Sequence, residues 1–240
     1  MGIDAGERLI VALDVPKDPS RMIELKDALS IVEELKGVVS FFKVGWPVYL
    51  ADGGHELHRR LIKQGLKVFL DLKFGDIPET VKRLISTAER DGVTFISLNT
   101  GPDGIRAAVD ARLSEYPKVL ALTLLSSQDQ SDLDLALEQF ILHRAQQAKE
   151  AGCDGLIVSG REISLVRERV GEELIIVSPG IRPSGAPKDD HKRALTPFEA
   201  VCAGADYLVV GRPITTADNP AEAAKHIIEE MHKGFKSRGW

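Results

Sequence analysis

The sequence predicts a single α/β domain spanning residues 1–240 and folded as a (β/α)8 TIM barrel. Three observations predict it. Short apolar runs recur eight times along the chain, separated by longer amphipathic stretches. The runs are rich in Val, Ile and Leu and mostly do not alternate with polar residues, as expected of strands buried on both faces. Glycines also punctuate the pattern: Gly65, Gly92, Gly152 and Gly204 each stand near the end of a helical stretch, just before a strand, where a left-handed cap is wanted. The phrases "AGCDGLIV" and "AGADYLVV" are one helix-stop, turn and strand device used twice. A doubly wound sheet is the alternative; eight regular units without a Gly-rich fingerprint after the first strand weigh against it.

In chain order, the first strand is Leu9–Val15, followed by the amphipathic stretch Met22–Leu35. Phe41–Gly45 is the second strand and His55–Gln64 the helical pattern after it. Lys67–Lys73 is the third, leading into the helix Ile77–Asp91. Phe95–Thr100 and Val119–Leu125 are the fourth and fifth strands, with Leu133–Ala151 the helix that follows. Gly155–Gly160, Leu174–Pro179 and Tyr207–Gly211 complete the eight, with Pro197–Ala203 helical between the last two. The longest polar loop, Arg182–Leu195, follows strand seven, and its length marks a functional loop or lid.

Composition narrows the function classes. Hydrophobic residues at 43% and charged residues at 28% suit a soluble globular protein with a sizeable core. A net charge of -5 argues against nucleic acid or an anionic membrane as a general partner. The two cysteines, Cys153 and Cys202, lack metal-ligand spacing and read as small hydrophobes in a reducing compartment. No apolar run approaches the roughly 18 residues of a membrane-spanning helix. The first residues lack a signal-peptide core, and Gly6 stands where a myristoylation motif wants Ser or Thr. The expected location is therefore the cytoplasm.

In a barrel of this kind, catalytic residues sit at the C-terminal ends of strands and in the loops after them. Those positions hold Asp14, Lys43, Asp71, Lys73, Asp76, Asn99, Ser126, Arg182 and Arg212. The segment "DLKFGDIPET" (residues 71–80) is the most informative. Side chains at i and i+2 of a strand share a face, so Asp71 and Lys73 point the same way. Asp76 follows in a short loop, and two carboxylates flanking an ammonium favour its charged form. That suits a lysine that remains a proton donor at neutral pH. Lys43, inside the apolar run "FFKVG", needs a partner of opposite charge.

"SPGIRP" and "VVGRPIT" end strands seven and eight, where barrels commonly hold a phosphate. Gly180 and Gly211 permit close backbone approach, and Arg182 and Arg212 supply planar donors for paired hydrogen bonds. None of the six histidines has ligand spacing near the strand ends, so no dedicated metal site is expected. The residues suggest a small phosphorylated substrate and lysine acid chemistry beside carboxylates.

At this level of detail the chain resembles the orotidine 5'-monophosphate decarboxylase family. "DLKFGDIPET" fits the D-x-K-x-x-D-I-P-x-T signature, and "LIVALDV", "FFKVGWPVY", "SPGIRPSG", "DDHKRALTP" and "GADYLVVGRPIT" follow the family's order. The resemblance covers about Leu9 to Pro220. It implies conversion of orotidine 5'-monophosphate to uridine 5'-monophosphate and carbon dioxide, the last step of de novo pyrimidine synthesis, with no cofactor and no metal. It implies that Lys73 protonates C6, that Asp71 lies beside the departing carboxylate, and that Lys43 and Asp76 complete the charge array. Lys43 and Asp14 would contact the ribose, Ser126 the pyrimidine, and Gly211, Arg212 and Arg182 the phosphate. Asp76, Ile77 and Thr80 would reach into a neighbouring subunit's site, which implies a homodimer. Two positions depart from the pattern. His191 stands where bacterial members typically carry Gln, whose amide bridges base and phosphate; an imidazole there makes lid closure pH-dependent. Asn99 replaces the family's usual His after strand four, and its role reads as structural. The alternative is a metal-dependent sugar-phosphate decarboxylase or synthase of the same superfamily, with magnesium near the equivalent acidic residues.

Overall fold

A computed structural model describes residues 4–14, 22–124, 134–160, 162–184 and 194–240. Eight parallel strands close into a barrel in sequence order, from β1 pairing β2 round to β8 pairing β1. They are β1 (Leu9–Ala12), β2 (Phe41–Gly45), β3 (Lys67–Phe74), β4 (Phe95–Leu98), β5 (Lys118–Leu122), β6 (Gly155–Ile157), β7 (Ile175–Ser178) and β8 (Tyr207–Val210). The helices are α1 (Leu25–Glu34), α2 (Trp46–Tyr49), α3 (Leu57–Lys63), α4 (Pro78–Asp91), α5 (Pro102–Asp110), α6 (Asp134–Glu150), α7 (Glu162–Val170), α8 (Pro197–Cys202), α9 (Arg212–Thr215) and α10 (Pro220–Ser237). Most expected strands run past the observed ones at the C-terminal end, because the chain leaves the ladder there to form the mouth. The exceptions are β2, which ends at Gly45 as expected, and β3, which continues to Phe74.

The two faces of each strand bury into different cores. Leu9, Val11, Phe42, Val44, Val68 and Leu70 face the helices and join the larger apolar cluster. Ile10, Phe41, Phe69, Phe95, Leu120 and Val209 face inward and form the barrel's own core. Burial on both sides is why the strands read as continuous apolar runs. At the bottom of the interior, the Phe95 ring meets Phe41 and Tyr207 edge-on, each at 5.0 Å between centroids. Rings fill this end, so the alternation along β2 and β3 delivers the next inward positions, Lys43 and Asp71, to the open top.

The crossovers are terminated as the glycines predict. Gly65, Gly92, Gly152 and Gly204 all have positive φ, from 78° to 118°. Thr196 opens α8 with a capping box, its hydroxyl accepting from Glu199 N–H while the Glu199 carboxylate accepts from Thr196 N–H.

Candidate active site

The mouth of the barrel contains a cavity of about 300 Å³, within the size range of small-molecule sites. Phe69, Leu122, Ile157 and Val209 form its apolar floor. Asp14, Lys43, Asp71 and Lys73 stand on one side, and Gly180, Arg182, Gly211 and Arg212 on the other. Eight of the residues expected from sequence thus line one cavity: these except for the floor.

The charged side is a connected array. The Lys73 ammonium donates to both Asp71 oxygens at 3.0 Å. Lys43 Nζ lies 3.4 Å from Asp71 Oδ2 and also donates to Asp14 Oδ2. The other Asp14 oxygen accepts the Gly45 N–H at 2.6 Å. A Cβ on Gly45 would sit 2.6 Å from that oxygen, so only glycine lets the carboxylate lie against the strand. Asp71 is 8% exposed. Burial pushes its carboxyl group up, but the Lys43 and Lys73 charges outweigh burial and hold it below the ordinary range. Burial likewise pushes Lys43 down, and Asp14 and Asp71 together more than reverse it, so its ammonium titrates above the usual value. Lys43 and Asp71 thus hold each other in their charged forms, and the array bridges three strand ends.

Lys73 reaches Asp71 through an irregular backbone. The β3–β4 register runs Leu70 to Ile96 and then Phe74 to Leu98, four residues against two. Within that bulge Lys73 has φ 48°, the one non-glycine positive φ among the described residues. Its N–H donates to Ser97 Oγ at 2.8 Å, and the fully buried Ser97 hydroxyl also helps hold the Asp71 carboxyl below its ordinary range.

Asp76 does not join this array within one chain. Its carboxylate accepts the N–H of the next residue, Ile77, at 2.7 Å, and Asp76, Ile77 and Thr80 are all exposed. The expected flanking of Lys73 by two carboxylates of its own chain is therefore replaced by one carboxylate, Asp71, because the chain turns outward into α4 after Phe74. Asn99 is likewise exposed, its side chain 3.4 Å from an Arg144 nitrogen at the rim. Ser126 and His191 lie outside the described residues, as does most of loop Arg182–Leu195. The loop's two ends meet: Arg182 N–H donates to Leu195 O at 3.0 Å. Arg182 itself is buried, and Gly211 leads directly into α9, whose first residue is Arg212.

Sequence reading missed Gly45, Ser97 and Trp46 as site residues. Counting alternate positions from Phe41 and Phe95 finds the first two, since both follow inward-facing rings on the same strand face. Trp46, whose indole N–H donates to Leu72 O at 2.8 Å, matters only because of the bulge.

The chain is similar to known proteins of one family. A family model described as "Orotidine 5'-phosphate decarboxylase / HUMPS family" matches residues 7–227. A Nitrobacter winogradskyi protein named orotidine 5'-phosphate decarboxylase is 44% identical over 232 residues, covering 95% of this chain and 93% of the relative. One of the same name from Rhodopseudomonas palustris is 42% identical over 234 residues, covering 95% and 96%. Among solved structures, orotidine 5'-phosphate decarboxylase from Lactobacillus acidophilus aligns with a TM-score of 0.77 at 32% identity, over 94% of this chain and 99% of that one.

Proposed function

The chain belongs to the orotidine 5'-phosphate decarboxylase / HUMPS family, and from that membership and the cavity we propose how its residues divide the work. The reaction is decarboxylation of orotidine 5'-monophosphate to uridine 5'-monophosphate in pyrimidine biosynthesis. The C6–carboxylate bond breaks, its electron pair stays on C6, and carbon dioxide departs. Lys73 then gives one ammonium proton to C6. The observation that carries this assignment is the Lys73 ammonium held 3.0 Å from both oxygens of a buried carboxylate at the mouth of the cavity. A cation fixed before the reaction favours the carbanion-like transition state over the neutral ground state at C6. Asp71 keeps that cation in place and lies beside the departing carboxylate.

Lys43 and Asp14 bind the ribose, and Arg182, Arg212 and Gly211 bind the phosphate. Binding the remote phosphate supplies energy that orients the base over Lys73. Ser126 and His191 complete the contacts to the pyrimidine and phosphate. The chemistry proceeds without metal or cofactor. The Asp14 and Asp71 carboxylates, which a magnesium-dependent sugar-phosphate enzyme would need as ligands, are engaged by Lys43 and Lys73.

The working form is a homodimer in the cytoplasm, in which Asp76, Ile77 and Thr80 reach the partner's site. Their exposure supports this, with the apolar Ile77 side chain 66% exposed. No helix among the described residues is long and apolar enough to cross a membrane.

The test is loss of orotidine 5'-monophosphate absorbance with purified protein in excess chelator, beside Lys73→Ala. Chelator-resistant turnover is expected, and the substitution should lower it by roughly 10²- to 10⁴-fold or more. Turnover that requires added magnesium would overturn the metal-free assignment.

A further inference from the structure

Lys73 holds a backbone conformation that L-residues rarely adopt, at the position that bears the proton donor. Such a conformation persists only when its surroundings over-determine it. The surroundings are specific here. The peptide unit joining Leu72 to Lys73 lies inside the bulge of β3 and is held at both ends by side chains from the two flanking strands. On the β4 side, its N–H donates to Ser97 Oγ at 2.8 Å. On the β2 side, its carbonyl accepts the Trp46 indole N–H at 2.8 Å. Trp46 immediately follows β2, and Ser97 is the inward residue two after Phe95.

We propose that Ser97 and Trp46 are positioning residues that clamp the Leu72–Lys73 peptide and so aim the Lys73 ammonium at the reacting carbon. The inference deepens, and rests on, the decarboxylase reading of the cavity. Neither residue lines the cavity, so neither is catalytic; both act through the orientation of one peptide plane. Ser97 has a second effect: besides accepting from Lys73 N–H, its hydroxyl favours the ionised form of Asp71, the carboxylate that holds the Lys73 ammonium. The clamp is unequal. Ser97 is fully buried and water cannot replace it, whereas solvent reaches Trp46.

Steady-state kinetics on orotidine 5'-monophosphate test this with S97A, S97T and W46F, each with a pH profile and a thermal melt. S97A should lose roughly 10- to 100-fold in kcat with KM within about twofold, as expected when a group acts only on the transition state. S97T, which keeps the hydroxyl, should recover most of that loss. W46F should lose roughly fivefold, because water can donate in place of the indole. The acid limb of the S97A profile should move to higher pH, because Asp71 loses a donor that favours its ionised form. A merely structural serine would lower the melting temperature without moving that limb. Wild-type kcat in S97A, or equal losses in S97A and S97T, overturns the inference while leaving the decarboxylase reading intact. If S97A does not fold, unchanged kcat in W46F overturns it. An inactive wild type sinks the decarboxylase reading and the inference together.

Discussion

Replacing Gly45 by alanine isolates one contact of the charged array. The Gly45 backbone is extended, with φ -110° and ψ -178°, which any residue adopts. The substitution therefore costs nothing in backbone strain, and its effect falls on Asp14. The new Cβ would lie 2.6 Å from Asp14 Oδ1, 2.8 Å from Oδ2 and 2.9 Å from Cγ. All three are closer than carbon and oxygen tolerate, so the carboxylate must swing away. In doing so it gives up the Gly45 N–H and its contact with Lys43. A hydrogen bond to a charged group contributes about 1.5–3 kcal/mol. Lys43 keeps Asp71 at 3.4 Å, which limits the damage to about 2 kcal/mol. For a chain of this size that is a fall of about 4–8 °C in Tm. KM should rise by roughly tenfold, since Asp14 and Lys43 are assigned to the ribose, with a smaller change in kcat. Calorimetry and steady-state kinetics measure both, and a double-mutant cycle with D14A decides the cause. In the D14A background, G45A should cost under about 0.5 kcal/mol, because the clash has nothing left to displace. Equal costs in the two backgrounds would refute the route through Asp14.

Two further outcomes follow from the array and its neighbours. D71N should lose about 3–5 kcal/mol at neutral pH, because two ammonium groups lose a buried partner; the folded Asp71 value is depressed, so this contribution is present above the ordinary value of about 3.9 and lost as pH falls through the folded one. The gap between wild type and D71N should therefore be flat from pH 6 to 8 and close in acid; a gap that widens in acid contradicts the assigned charge state. Mixing inactive K73A with inactive D76A should restore up to about a quarter of wild-type activity, since a mixed dimer carries one site with both native residues. Restoration absent despite demonstrated subunit exchange would rule out a shared site.

The fold was legible because the eight strands are buried on both faces, which leaves an apolar signature that local sequence reports directly. Lys43 and Asp71 were legible for the converse reason: a charge amid buried apolar residues demands a partner, and alternation places both in the barrel. The same alternation explains why Lys73 is harder to read than it looks. Counting by twos from Phe69 puts Asp71 and Lys73 on one face, and the two do meet. Yet the strand between Leu70 and Phe74 is bulged and Lys73 lies at φ 48°, so the meeting is made by tertiary contacts and not by regular pleating. Trp46 and Ser97 were invisible for that reason: nothing in "GWPVY" or "FISLN" signals a distorted peptide on a neighbouring strand. Asp76 marks the other limit. Its place in the motif suggested a second carboxylate beside Lys73, whereas within one chain it accepts the Ile77 N–H and is exposed. A signature of this kind records which residues the chemistry uses. It does not record whether they arrive through one chain or two, because that depends on surfaces whose pairing local sequence does not encode.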